Sequence, residues 1–103
     1  MNSRLRQLAG LDRMIHEPAR LMIAATLYLV KEADFLYLQN QTDLTKGNLS
    51  SHLAKLEEAG YVGVKKMFEN RKPVTWFAVS TTGKTALKNH LAAMESLIKA
   101  SNV

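Results

Sequence analysis

Residues 45–60, Thr-Lys-Gly-Asn-Leu-Ser-Ser-His-Leu-Ala-Lys-Leu-Glu-Glu-Ala-Gly, narrow the possible folds more than any other stretch of the chain. Leu49, Leu53 and Leu56 recur at i, i+4 and i+7, the spacing of one helical face, so this segment reads as a helix with its leucines turned to a core. Thr45 supplies an N-cap hydroxyl, and Gly60 stands where a left-handed C-terminal cap is wanted. Between the leucines, Lys46, Asn48, Ser50, Ser51, His52 and Lys55 are short or basic hydrogen-bonding residues crowded into the first half. Base edges and phosphates ask for such side chains on the leading end of a helix that enters the major groove. Glu57 and Glu58 occupy the second half, where phosphate would repel them, so only the N-terminal half is expected to meet DNA. A solvated amphipathic helix has the same pattern, and the flanking sequence must decide.

Downstream, residues 61–68 and 74–79 read as two strands around the turn Glu69-Asn70-Arg71-Lys72-Pro73. Val62, Val64 and Phe68 share one parity, while Val74, Trp76 and Ala78 oppose Thr75, Phe77 and Val79. A two-stranded ribbon is marginal alone and must lie on helices. Its tip is basic, Lys65 and Lys66 line one arm, and Pro73 suits an edge. A basic hairpin directly after a groove-entering helix is the wing of a winged helix, able to reach phosphate or the minor groove. The bland alternative is a hairpin whose charges only protect an edge from aggregation.

Upstream, Leu5, Leu8, Leu11 or Asp12, and Ile15 space a short first helix from Ser3, ended by His16-Glu17-Pro18. Pro18 suits the first turn of a second helix, to about Lys31, whose run from Leu21 to Val30 leaves little polar surface; it is expected to be the buried central rod. Asp34 caps a third helix from Phe35 to about Gln41, and Thr42-Asp43-Leu44 turns into the 45–60 segment with Leu44 in the core, completing a helix-turn-helix.

Ser80 caps a last helix, residues 81–100, about 30 Å long. Its stripe Leu87, Leu91, Met94 and Ile98, with His90 and Leu97 beside it, is more apolar surface than one small core covers. A two-fold contact between copies is therefore expected, formed by Leu5 and Leu8 of the first helix together with Leu87, Leu91, Met94 and Ile98. The alternative is that both terminal helices close over their own domain.

The chain has 103 residues, enough for one domain, with 14 Lys plus Arg against 9 Asp plus Glu and a net charge of +5, which suits a polyanionic partner. It has no cysteine, which excludes disulfides, thiolate metal sites and cysteine nucleophiles. The apolar run at 21–30 is about half the roughly 20 residues of a membrane span, and Arg4 and Arg6 interrupt any leader-like stretch, so a cytoplasmic, nucleoid-associated protein with no membrane partner is expected. Gly83-Lys84-Thr85 echoes a phosphate-binding loop, but Ala78 stands in place of the first glycine. His16, His52 and His90 are far apart in sequence, so no enzyme, metal or cofactor constellation is visible.

Together these readings give one mainly α (α+β) domain over residues 1–103, a winged helix-turn-helix with a two-stranded wing and a long C-terminal dimerisation helix. The expected function is that of a homodimeric, sequence-specific regulator of transcription bound to a palindromic double-stranded operator, helix 45–59 in the major groove and wing 65–74 on backbone or minor groove. Asn48, Ser51 and His52 are base-edge candidates; Lys46, Ser50, Lys55, Lys65, Arg71 and Lys72 are phosphate candidates. Non-specific architectural DNA binding and a winged helix used for protein contact are the rivals.

The stretches His16-Glu17-Pro18-Ala19-Arg20-Leu21, residues 47–62 and Ser80-Thr81-Thr82-Gly83 also carry a resemblance. Over about residues 11–91 the chain resembles the small winged-helix regulators related to the MarR and ArsR groups. The resemblance implies dimeric DNA binding. The metal clusters of many ArsR-type sensors have no counterpart here, and no residue names a small-molecule effector.

Overall fold

The computed structural model describes residues 11–101; Leu5 and Leu8, expected in the contact between copies, lie outside the described residues. Asp12 caps a short helix α1 (Arg13–His16), its carboxylate accepting the Met14 N–H at 2.8 Å. Glu17 then caps α2 (Pro18–Val30) by accepting the Arg20 N–H at 2.8 Å, with Pro18 in the first turn where its missing donor costs nothing. The chain leaves α2 through Lys31, at φ 75, and forms strand β1 (Glu32–Asp34). Asp34 caps α3 (Phe35–Thr42), and Asp43 in the left-handed region turns the chain into α4 (Lys46–Glu58). Strands β2 (Val62–Glu69) and β3 (Lys72–Val79) follow, then α5 (Thr81–Ser101).

The sheet is antiparallel in the order β1-β3-β2, so the ribbon read from sequence carries a third strand. Glu32 to Asp34 pair with Ala78 to Trp76. Three residues show no strand periodicity; β1 exists because the end of α2 sets it beside the open edge of β3.

Ile15, Ile23, Leu27, Leu38, Leu49, Leu56 and Leu87 are fully buried and bring five helices to one core, each side chain contributing roughly 1.5–3 kcal/mol. Val62, Phe77 and Val79 close it from the root of the wing. The expectation that α2 is the buried rod is corrected here. Only Ala19, Ile23, Ala24 and Leu27 are buried, whereas Leu29 is 79 % exposed and Met22, Tyr28 and Val30 also reach the surface. The helix is apolar almost all round, yet the domain covers one side of it.

The wing is fastened to α5 at its root. The Ser80 N–H donates to Tyr61 O at 2.9 Å, and the Ser80 hydroxyl bonds Gly60 O while accepting the Gly83 N–H at 3.0 Å. Gly83 lies so close to the Tyr61 carbonyl and Val79 that a Cβ would overlap both, so this first turn of α5 needs glycine. Gly60, at φ 79, supplies the left-handed residue after α4.

Candidate nucleic-acid interface

Helix α4 divides as its residue types demand. Thr45 accepts the Asn48 N–H at 3.1 Å and starts the helix; Leu49, Leu53 and Leu56 are buried. Lys46, Gly47, Asn48, Ser50, Ser51 and Lys55 are exposed and form a polar surface free of large apolar groups. Ala59 ends the helix, with Glu57 and Glu58 exposed in its last turn.

The wing tip is a two-residue turn. Asn70 and Arg71 have φ of 50 and 65, and Glu69 pairs with Lys72 across them, the arrangement whose twist matches the strands. Asn-Gly is the easy sequence for such a turn, so holding Arg71 there costs about 1 kcal/mol. All four residues of the tip are exposed, Arg71 and Lys72 supplying its positive charge.

Register sorts the wing's lysines. Val62↔Val79 and Val64↔Phe77 face the core, and the same face continues outward through Lys66↔Thr75 to Phe68↔Pro73. Lys66 and Thr75 line a groove with Ser50, Ala54 and Glu57 of α4, and Phe68, 79 % exposed, stands beyond it. Lys65 is paired with Trp76 on the opposite face, where the Trp76 indole donates to Glu69 at 3.2 Å. Lys66 and Phe68 were absent from the sequence-based set; the parity that placed Val62 and Val64 inward would have picked them out.

His52 is placed differently from the other candidates on α4. Its side chain is 20 % exposed and turned toward the start of α2, with Nδ1 3.3 Å from Arg20 Nη1 and 3.7 Å from Glu17 Oε2. Burial would raise the Glu17 carboxyl, but the Arg20 and Ala19 N–H groups, the charge of His52 when its ring is protonated and the charge of Arg20 outweigh it and hold the carboxyl below its ordinary value. Neither Glu17 nor Arg20 was singled out as a functional residue, since only the fold brings them within reach of position 52.

On α5, Leu87 is 2 % exposed and belongs to the core of its own subunit, while Leu91 at 54 % and Ile98 at 51 % are open and Met94 is half-buried. His90 is buried with its Nδ1 unpartnered, its ring 5.2 Å from that of His16. It borders a cleft shared by Asp12, Tyr61, Thr85 and Asn89, in which the Tyr61 hydroxyl donates to Asp12. That hydrogen bond, with burial and the carboxylate's charge, pushes the Tyr61 phenol up. Among the described residues no group of acidic or histidine side chains has the arrangement of a metal site, and no helix is long and apolar enough to cross a membrane.

A helix-turn-helix followed by a basic two-stranded ribbon defines a winged-helix protein. The chain belongs to the winged helix DNA-binding domain family, whose description it matches over residues 19–98. It is 34 % identical over 87 residues to an uncharacterised protein of Methanocaldococcus jannaschii, spanning 84 % of this chain and 95 % of that one. Among solved structures it is similar to a transcriptional regulator homologue from Pyrococcus horikoshii OT3, with 28 % identity, a TM-score of 0.88 and coverage of 99 % of this chain and 100 % of that chain. A MarR-family regulator from Enterococcus faecalis V583, 17 % identical with a TM-score of 0.74 over 99 % of this chain and 90 % of its own, shares the fold. The protein is thus a winged-helix protein, and the solved structures it resembles are those of transcriptional regulators.

Proposed function

We propose that the protein is a sequence-specific, double-stranded DNA-binding regulator of transcription that works as a homodimer in the cytoplasm, on the nucleoid. The observation that carries this is the exposure of both a short-polar face on α4 and a basic, conformationally costly wing tip, with Ser50 of α4 and Lys66 of the wing lining one groove. In this reading α4 enters the major groove, with Asn48 and Ser51 at base edges and Lys46, Ser50 and Lys55 toward phosphate, while Arg71 and Lys72 hold the backbone or minor groove beside it. Lys66 joins the phosphate set because it lies on the α4 side of the wing. Leu91, Met94 and Ile98 form the contact between copies, supported by the open apolar stripe that α5 carries past its own core.

Selection of bound sequences from a randomised duplex library at moderate salt tests this reading. The expected outcome is a two-fold symmetric site with half-site centres about 10 bp or a multiple apart. Strongly salt-dependent binding with no motif would replace regulation with coating of phosphate, and absence of binding would leave only a protein partner.

A further inference from the structure

Glu17, Arg20 and His52 form a polar cluster that joins the start of α2 to the flank of α4. Arg20 is anchored at one end, its Nε donating to Met14 O at 2.7 Å and its Nη2 to Arg13 O at 3.4 Å, while Nη1 lies 3.3 Å from His52 Nδ1. A guanidinium carries only donors, so this contact is a hydrogen bond only when Nδ1 is the unprotonated, accepting nitrogen. Glu17 favours the other tautomer, but its Oε2 is 3.7 Å from Nδ1 and already accepts the Arg20 N–H at 2.8 Å. The arginine therefore decides, and the proton of the neutral ring resides on Nε2.

That second nitrogen has no hydrogen-bond partner among the described residues, yet the buried, unpartnered side-chain atom found there is His90 Nδ1, not His52 Nε2. The His52 side chain is 20 % exposed, and it lies on the flank of α4 away from Ser50, Ala54 and Glu57, which face the wing.

We propose that Arg20 is a positioning residue that locks His52 as the Nε2–H tautomer, so that α4 presents a fixed N–H donor to the duplex on the flank opposite the wing. The proposal rests on the DNA-binding function above. The group it meets is a hydrogen-bond acceptor, either a phosphate oxygen or a purine edge in the major groove.

Long-range 1H–15N correlation spectra of the free protein at about pH 8, above the histidine range, read the tautomer without DNA. The expected result is an accepting Nδ1 and protonated Nε2 in the wild type, lost to a mixture in Arg20→Met; a wild-type proton on Nδ1 would overturn the proposal. Binding to the selected site is then measured. Arg20→Met and His52→Leu should each weaken it by about three- to ten-fold, the worth of one hydrogen bond, and the double variant should lose no more than either alone.

Glutamine reaches the Nε2 position with an N–H and asparagine does not, so His52→Gln should keep most of the affinity and His52→Asn should not. Equal binding by the two, or full binding by an Arg20→Met protein that has lost its tautomer preference, would overturn the donor role. This pair also decides the matter where thermal melts show that Arg20→Met destabilises α1. A His52→Leu loss equal on all duplexes at unchanged salt slope assigns the acceptor to phosphate, and a loss confined to one base pair assigns it to a base. Failure of the wild type to select any site would remove the donor role with the DNA reading, while the spectra would still stand.

Discussion

Two residues at the centre of the domain make its stability specific. Gly83 is the place where the first turn of α5 comes to rest on the Tyr61 carbonyl, and neither partner can retreat without moving the root of the wing. Gly83→Ala should destabilise by about 1–3 kcal/mol, lowering the thermal midpoint, whereas alanine at exposed Gly47, which meets no neighbour, should not destabilise. Burial holds the His90 imidazole below its ordinary value, with the His16 ring acting in the same direction and Asp12 opposing. The unfolded chain then takes up a proton that the folded chain resists. Stability contributed by this group is full above about pH 6.5 and falls as the pH drops through the ordinary histidine range toward the lower folded value. Thermal melts between about pH 7.5 and about pH 5.5 should show this loss, and His90→Leu should flatten it. Position 90 was read from sequence as lying beside an apolar stripe; that it sits buried next to residue 16 follows from the crossing of α1 and α5, which spacing within either helix does not encode.

At the scale of elements, the wing separates stability from function. Arg71 occupies a left-handed position that glycine prefers, so Arg71→Gly should leave the hairpin as stable or slightly more so while DNA affinity falls on all duplexes. Arg71→Ala should likewise weaken every duplex and lower the salt slope by about 1, measured by titration at several salt concentrations. On α4 the expected effect is of another kind. Asn48→Ala or Ser51→Ala should change which sequences are preferred, by roughly 1–3 kcal/mol at one base pair, with the slope unchanged. The helix, its cap, its stop and the ribbon were legible because each has a local cause: Thr45 and Asp34 cap, Gly60 stops, and the parity of Val62 and Val64 sets a face. Strand β1 was not, because three residues at Glu32–Asp34 become a strand only when β3 offers them an edge.

For the whole molecule, the open surface of α5 is the quantity to test. Leu91→Asp or Met94→Asp should convert a dimer to a monomer by light scattering and weaken operator binding with it, since each half-site alone makes too few contacts; equal mass before and after would reject this interface. Leu87→Asp should instead unfold the subunit, because that side chain lies in its own core. The order of elements, the leucine face of α4, the basic turn and the apolar length of the last helix are properties of neighbouring residues, and the sequence by itself determined them. Which side of α2 is covered, the pairing of β1 with β3, and the meeting of Glu17 and Arg20 with His52 were decided only by the tertiary structure. Those features depend on how helices and strands distant in the chain pack against one another, and periodicity records only the face a residue lies on, not the neighbour it meets there.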